Sequence, residues 1–179
     1  MVNALVQYEQ EQETKRVKME QYKASAKSYV HMQRGIHLEK RIIERLNSAE
    51  NMNFVARDKL WIKAYDNALF KICGIVDGID AQKQTIIEVK TKSRLSASLS
   101  GVSLKERVQC MCYMSLTGCD KCILVESGPC GEQNVFHIVM DVNEFECIVL
   151  DKLRRFVNKY RNMDEDEFKR LVLKYSLSY

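Results

Sequence analysis

Three charged residues near the middle of the chain have types and a spacing suited to metal binding and phosphate chemistry. Asp77 follows a run of β-favouring residues, and Glu88 and Lys90 lie near the end of a second run, over residues 85–91. The polar segment 80–84 separates the runs, so we predict two adjacent strands joined by a tight turn. Glu88 and Lys90 point to the same face because side chains alternate along a strand. The two carboxylates are therefore expected at one end of the sheet.

Carboxylates in this arrangement supply the hard oxygen ligands that Mg²⁺ and Mn²⁺ prefer. Few protein ligands suffice, because Mg²⁺ keeps several waters and takes phosphate oxygens from a substrate. The carbonyl of Val89 is a candidate further ligand. The ammonium of Lys90 is suited to orienting the attacking water and to stabilising charge on a scissile phosphate. We interpret Asp77, Glu88 and Lys90 as a metal-dependent nuclease centre.

An earlier helix, predicted over residues 33–47, carries an acid among apolar residues. Gly35, Glu39, Ile42 and Leu46 fall on one stripe of that helix. A carboxylate in an apolar stripe costs free energy unless it is paired, hydrogen-bonded or near a cation. Glu39 is therefore a candidate to complete the metal site.

Each of these motifs alone has an ordinary structural explanation, as an Asp-Gly turn or as a solvated charge pair on a strand face. The nuclease interpretation depends on finding all of them in one order along the chain. A later helix, predicted over residues 102–117, adds Gln109 and Tyr113 as neighbours four residues apart.

The elements that must position these residues alternate between helices and strands. The pattern predicts an α/β fold, with a mixed central β-sheet flanked by α-helices. We expect one domain over residues 1–179, made of an N-terminal helical arm (1–30), a catalytic core (33–140) and C-terminal helices (143–179). The predicted strands cover residues 53–65 (one strand or a pair), 69–79, 85–91, 121–126 and 134–140.

The remaining helices are predicted from apolar spacing and end signals. A polar helix covers residues 3–28, and Gly118 ends the helix of residues 102–117. That helix is expected to bury Leu104, Val108, Met111 and Cys112. A helix over residues 143–161 is expected to use Phe145, Ile148, Val149, Leu153 and Phe156, and Asp164 is expected to cap a final helix. Residues 93–101 are predicted to form a loop.

Positive charge is concentrated next to the proposed centre rather than spread over the chain. The net charge is only +4, but residues 83–107 hold six basic and two acidic residues. A phosphate backbone at the centre would lie against this segment. The candidate phosphate contacts are Arg34, Lys92, Arg94 and Lys105, although a solvated strand end also explains Lys92 and Arg94.

Several classes of protein are disfavoured by the sequence. No apolar run approaches the length of a membrane span, and the first residues lack the features of a signal peptide. The seven cysteines are an odd number and suit free thiols in a reducing compartment. We therefore expect an intracellular protein of the cytoplasm or nucleus that is not secreted and has no membrane partner. Ordinary thiols are favoured over a metal or cluster role for Cys119 and Cys122.

The set of motifs resembles the PD-(D/E)XK nuclease superfamily, in the branch that contains RecB-type nuclease domains, lambda exonuclease and YqaJ-like nucleases. The resemblance covers about residues 33–140, and Val76 stands where the superfamily's namesake has proline. The matching motifs are G-x-x-x-E at Gly35 and Glu39, G-x-x-D at Gly74 and Asp77, E-x-K at Glu88, Val89 and Lys90, and Q-x-x-x-Y at Gln109 and Tyr113.

The resemblance implies a restriction-endonuclease-like core and a role for each matching residue. Glu39, Asp77 and Glu88 would bind Mg²⁺ or Mn²⁺, and Lys90 would assist catalysis. Gln109 and Tyr113 would help to position the active site or the DNA. The implied function is a DNA exonuclease acting in recombination, repair or replication, on double- or single-stranded DNA. A recombinase or single-strand-annealing partner and a homo-oligomer are further expectations.

Two alternatives remain open at this point. One is an endonuclease of the same fold that cuts DNA or RNA, including the cap-snatching type. The other is a non-catalytic nucleic-acid-binding module. The Q-x-x-x-Y motif favours the exonuclease over the first, and the complete acid-acid-lysine set argues against the second, because binding alone needs no buried carboxylates.

Overall fold

The computed structural model describes residues 2–49, 51–55, 59–95 and 101–176 of the chain. It divides into two compact units, Met1–Arg45 and Leu46–Tyr179. Part of the predicted loop, residues 96–100, and part of the first predicted strand segment, residues 56–58, lie outside the described residues.

The first helix, α1, runs without interruption from Val2 to Ala49. The prediction of two helices separated near residue 30 is wrong, because the intervening residues include neither Gly nor Pro and continue the helix. Of the predicted apolar stripe, Ile42 and Leu46 are buried. Near the end of α1, Asn47 and Phe54 exchange two hydrogen bonds of 2.8 and 2.9 Å, which fixes where the chain leaves the helix.

The strands in the described part of the chain form two sheets. Strands β1 (Trp61–Tyr65) and β2 (Phe70–Gly74) make an antiparallel pair. The other four strands make one sheet in the order β3-β4-β5-β6, in which β4 and β5 are parallel and the outer pairs are antiparallel. Their bounds are Gly78–Asp80 for β3, Thr85–Thr91 for β4, Lys121–Ser127 for β5 and Gln133–Val139 for β6. The predicted mixed α/β fold is confirmed.

The single strand predicted over residues 69–79 is wrong, because the chain passes from one sheet to the other within it. Residues 75–77 are not in a strand, and Val76 between the sheets is fully buried. Beyond the break, Ile79 of β3 pairs with Ile86 of β4 on one side and bridges Val55 on the other. These long-range partners set the break, and the local β-propensity of the segment does not reveal them.

The turn between β3 and β4 is fixed by one buried carboxylate. Asp80 accepts hydrogen bonds from the backbone N–H groups of Gln82 and Lys83 in the turn, at 3.1 and 3.0 Å. It also accepts one from Asn53 N–H at 2.8 Å. These bonds, led by that of Asn53, lower the pKa of Asp80. The turn therefore holds the register of β3 on β4.

Helix α2 (Leu104–Thr117) crosses from β4 to β5. It begins after Ser103, whose side chain accepts from Glu106 N–H, and it ends at Gly118, whose φ of 77° is the left-handed conformation that favours glycine. The predicted end is confirmed, but the predicted buried face is partly wrong. Leu104 is 59% exposed, and the residues that α2 buries are Glu106, Cys110, Met111, Met114 and Leu116.

The C-terminal region is helical, as predicted, but divided. It contains α3 (Val142–Phe145), a π-helical turn (Glu146–Leu150), α4 (Asp151–Tyr160) and α5 (Glu165–Ser176). The predicted cap is present, since Asp164 Oδ1 accepts from Glu167 N–H at 2.7 Å. Phe145 and Val149 are buried as predicted, whereas Phe156 is exposed.

The main hydrophobic core lies between α2, the four-stranded sheet and the start of the C-terminal helices. Its most buried side chains are Ile86, Cys110, Met111, Met114, Cys122 and Leu124. Within the described part of the chain, no helix combines the length and the apolar character that crossing a membrane requires.

Candidate active site

Asp77 lies just before β3 and is fixed by the neighbouring strand β4. Its Oδ2 accepts a hydrogen bond of 2.7 Å from the backbone N–H of Val89 in β4. Burial raises the pKa of the Asp77 carboxyl, against the lowering effects of this bond and of Lys90. The carboxylate therefore lies beside the E-x-K segment, as the sequence predicted for the acid of a metal site.

Glu88 and Lys90 face the same side of β4 and form an ion pair. Lys90 Nζ is 2.6 Å from Glu88 Oε1, and the Glu88 side chain is almost completely buried. Burial of Lys90 opposes its charge, but the hydrogen bond and charge of Glu88 outweigh burial and raise the pKa of the ammonium. Lys90 is thus held as a cation at neutral pH.

Gln109 and Tyr113 of α2 lie over this pair. The Gln109 amide donates to Glu88 Oε1 at 2.8 Å and to the Tyr113 hydroxyl at 3.0 Å. Burial raises the pKa of Tyr113, so its hydroxyl remains neutral. The structure therefore brings together Asp77, Glu88, Lys90, Gln109 and Tyr113, five residues that the sequence assigned to one site.

Gly74 has a steric role in this site. A Cβ added to Gly74 at the end of β2 would lie 2.5 Å from Cε1 of the Tyr113 ring. Real Cβ atoms do not approach other atoms so closely, so only glycine lets the ring lie there. The first residue of the G-x-x-D motif therefore makes room for the last residue of Q-x-x-x-Y.

The donor set fits a hard divalent cation. The carboxylates of Asp77 and Glu88 and the carbonyl of Val89 are oxygen ligands of the type that Mg²⁺ and Mn²⁺ take. In the described parts of the chain, no three His, Cys, Asp or Glu side chains converge as a ready metal-binding group. Any metal held by these groups would therefore depend on backbone, water or substrate oxygens as well, which suits Mg²⁺ more than Zn²⁺.

Other predicted site residues are placed less directly. Glu39 lies in the first unit and the five residues above in the second, so its metal role stays a prediction. The side chain of Arg34 lies outside the described residues. Arg94, just beyond β4, and Lys105, in the first turn of α2, are exposed. Their phosphate contacts also stay predictions.

Lys92, the remaining predicted phosphate contact, is held by two acids. Its Nζ contacts the carboxylates of Glu106 in α2 and Glu126 in β5, the latter at 3.1 Å. The Ser103 hydroxyl donates to Glu106 Oε2 at 2.5 Å. The hydrogen bond that Lys92 donates to Glu106 raises the pKa of Lys92 above its ordinary value.

Three residues of this second cluster, Ser103, Glu106 and Glu126, were missed by the sequence interpretation. The S-x-x-E spacing of Ser103 and Glu106 is a capping-box signature and could have identified the start of α2. Glu126 has no local signal. Its place is set by strand register, which pairs it with Lys90.

The cysteines are free thiols, as expected. Cys119 and Cys122 of the C-x-x-C motif are both buried. A hydrogen bond with Cys110 and burial both raise the pKa of Cys122. Both side chains of the motif pack in the hydrophobic core.

Comparison with known proteins gives matches to solved structures. No protein-family model matches the chain, and no curated protein matches it. The crystal structure of an alkaline exonuclease from Laribacter hongkongensis is similar, with a TM-score of 0.55, 17% identity, and coverage of 83% of this chain and 75% of that one. A phage-related exonuclease from Haemophilus somnus 129PT is similar with a TM-score of 0.55, 15% identity, and coverage of 80% and 73%.

A third similar structure is that of SSO0001, with a TM-score of 0.53 and 21% identity. The match covers 73% of this chain but only 61% of SSO0001, which is less than two thirds of its length. Identities this low show a shared fold. The chain therefore has a fold that is also found in exonucleases.

Proposed function

We propose that this chain is a DNA nuclease dependent on Mg²⁺ or Mn²⁺, and that it acts as an exonuclease. One observation carries the proposal: Lys90 and Gln109 converge on one oxygen of buried Glu88, beside Asp77. Glu88 is buried and Asp77 is half-buried, and two carboxylates held together away from water cost free energy unless a cation or hydrogen bonds compensate them. A site that binds a cation and cleaves a phosphodiester needs them.

The acidic residues and the lysine have different proposed roles. A bound Mg²⁺ or Mn²⁺ would supply Lewis acidity toward the phosphate and lower the pKa of an attacking water. Asp77, Glu88 and the Val89 carbonyl would hold it, with Glu39 as a proposed further ligand. Lys90 is protonated, so its role is to orient water and to stabilise charge on the phosphate rather than to accept a proton.

Glu88 must keep its orientation if it is to hold a metal ion. Gln109 donates to it from α2 and is itself placed by the Tyr113 hydroxyl. Outer groups of this kind orient metal ligands in other proteins. We assign Gln109 and Tyr113 to this positioning role. Of the predicted phosphate contacts, Arg94 and Lys105 are exposed, and we assign them, with Arg34, to phosphates along the DNA.

The exonuclease assignment draws support from two of the three similar structures, both of which are exonucleases. We further propose that the chain belongs to the RecB, lambda exonuclease and YqaJ-like branch, and that its reaction serves DNA recombination, repair or replication. Action inside the cell, a recombinase or annealing partner and a homo-oligomer belong to the same proposal.

The deciding experiment compares end-labelled linear DNA, closed circular DNA and RNA as substrates in Mg²⁺ and in Mn²⁺. Wild type is compared with Asp77→Asn, Lys90→Ala and the control Lys152→Ala, which removes an exposed lysine of α4. We expect cleavage of linear DNA alone, lost in the first two variants and kept in the control.

Other outcomes would correct the proposal in specific ways. Cleavage of closed circles would show an endonuclease, and cleavage of RNA alone would show a ribonuclease of the same fold. DNA binding without cleavage in either metal, or full activity of Lys90→Ala, would contradict the proposed mechanism.

A further inference from the structure

A second charged cluster lies next to the proposed active site and joins three elements. Lys92 follows β4 directly, and its backbone N–H donates to Ser127 O of β5 at 2.9 Å. Its ammonium contacts Glu106 of α2 and Glu126 of β5. One side chain thus links the ends of two parallel strands to the first turns of the helix that connects them.

Both acids of the cluster are buried. Glu106 is 6% exposed and Glu126 is 8% exposed. Burial favours the neutral form of Glu106, but the bonds from Lys92 and Ser103 outweigh it and lower the pKa of that carboxyl. Two carboxylates therefore share one cation in a poorly solvated place. Removal of that cation would leave them uncompensated and repelling one another.

The cluster is connected to the active site through α2. Glu106 and Gln109 are three residues apart on the helix, so they lie on the same face. Both reach side chains of the β4 segment: Glu106 contacts Lys92, and Gln109 contacts Glu88. The orientation of α2 that brings Glu106 to Lys92 therefore also brings Gln109 to Glu88.

We propose that Lys92 is a positioning residue, whose ammonium holds α2 against β4 and β5 so that Gln109 stays on Glu88. This inference rests on the proposed nuclease function and assigns Lys92 a role other than phosphate contact. An ammonium shared by two buried carboxylates has its charge compensated inside the protein. It adds little attraction for a DNA backbone.

The two roles differ in how DNA binding depends on salt. A lysine that contacts phosphate releases counterions, so its removal weakens binding and lowers the slope of log Kd against log salt by about one. For Lys92→Met we expect an unchanged slope and Kd, and a fall in kcat of about 10- to 100-fold. Lys92→Arg, which keeps the cation, should recover most of the lost kcat. Lys152→Met is the charge-matched control.

A double variant tests whether Lys92 affects kcat through Gln109. If Lys92 acts through Gln109, the double variant Lys92→Met/Gln109→Ala should lose no more kcat than the more damaging single variant. The proposal would be overturned if the kcat losses of the two single variants multiplied in the double variant. It would also be overturned if Lys92→Met bound DNA more weakly and with a lower salt slope.

Stability gives a readout that requires no enzyme activity. Lys92→Met should lower the urea midpoint of unfolding in the wild-type background, and much less in the Glu106→Gln/Glu126→Gln background, where no charge needs compensation. Equal shifts in both backgrounds would overturn the role of the cluster.

If Lys92→Met does not fold, Lys92→Arg and Glu106→Gln serve for the same comparisons. A coupled cluster in a protein with no nuclease activity would contradict the proposed function and leave the contact of Lys92 with α2 established.

Discussion

Gln109 and Lys90 donate to the same oxygen of Glu88, at 2.8 and 2.6 Å, so α2 and β4 meet at a single carboxylate atom. Two donors on one oxygen restrict how the carboxylate can turn. The other oxygen of Glu88 is thereby presented in a fixed direction, and Asp77 beside it is held by the backbone N–H of Val89.

Removal of the Gln109 amide should reduce activity without unfolding the protein. For Gln109→Ala we expect kcat to fall about 10- to 100-fold, because Glu88 loses a donor that orients it. Gln109→Glu should be worse, since it places a second carboxylate against Glu88. Steady-state kinetics on linear DNA would test this, with Lys152→Ala as the control. Equal kcat in Gln109→Ala and wild type would contradict the positioning role.

Gly74→Ala should damage the fold and the site together. The new Cβ would meet the Tyr113 ring at 2.5 Å, and overpacking of this kind costs about 1 to 3 kcal/mol. Urea unfolding would measure the loss. Because the clash is with one ring, the same substitution made in a Tyr113→Ala background should cost much less. A cost that does not depend on residue 113 would show that the strain lies elsewhere.

Divalent metal should stabilise the folded protein through its carboxylates. At a Mg²⁺ concentration about ten times Kd, we expect a gain of about 1.4 kcal/mol, or roughly 3 to 6 °C in Tm. Asp77→Asn and Glu88→Gln should lose most of this shift. Glu167→Gln, which removes an exposed acid of α5, should keep it. Thermal unfolding in EDTA and in Mg²⁺ makes the comparison, and equal shifts in all variants would place the metal elsewhere.

Without metal, ionised Asp77 should destabilise the fold. Burial raises its folded-state pKa, so the folded protein retains this proton to higher pH than the unfolded chain. The contribution of Asp77 to the free energy of unfolding is therefore greatest below the ordinary pKa of 3.8 and is lost as pH rises through the raised value.

Asp77→Asn, which cannot ionise, should accordingly be at least as stable as wild type at neutral pH in EDTA. The advantage should disappear at about pH 3, where wild-type Asp77 is protonated. Urea titrations of both proteins across this range provide the measurement. A variant that is less stable at neutral pH would show that the Val89 hydrogen bond outweighs the burial of charge.

Local signals in the sequence predicted some elements to the residue. β4 was predicted over residues 85–91 and is observed there, because its apolar run is bounded by a polar turn. The end of α2 was predicted because Gly118 supplies the left-handed conformation. The fold class followed from the order of such elements. The motifs of the candidate site were recognised because their residues lie in order along the chain.

Features decided by distant partners were not predictable in this way. The division of residues 69–79 between two sheets depends on pairing with β1 and β4. The face that α2 buries depends on Lys92, which compensates Glu106 and allows an acid inside while Leu104 faces solvent. A periodicity of apolar residues cannot report such a charge pair.

Folding must complete a long connection before the site exists. Glu88 and Lys90 lie on β4, while Gln109 lies on the helix that carries the chain across to β5, its parallel neighbour. Parallel pairing brings together residues far apart in sequence, which is a slow step in folding. We therefore expect nuclease activity to appear late in refolding, when β4 pairs with β5. A partly synthesised chain that ends before β5 should contain the motifs but have no nuclease activity.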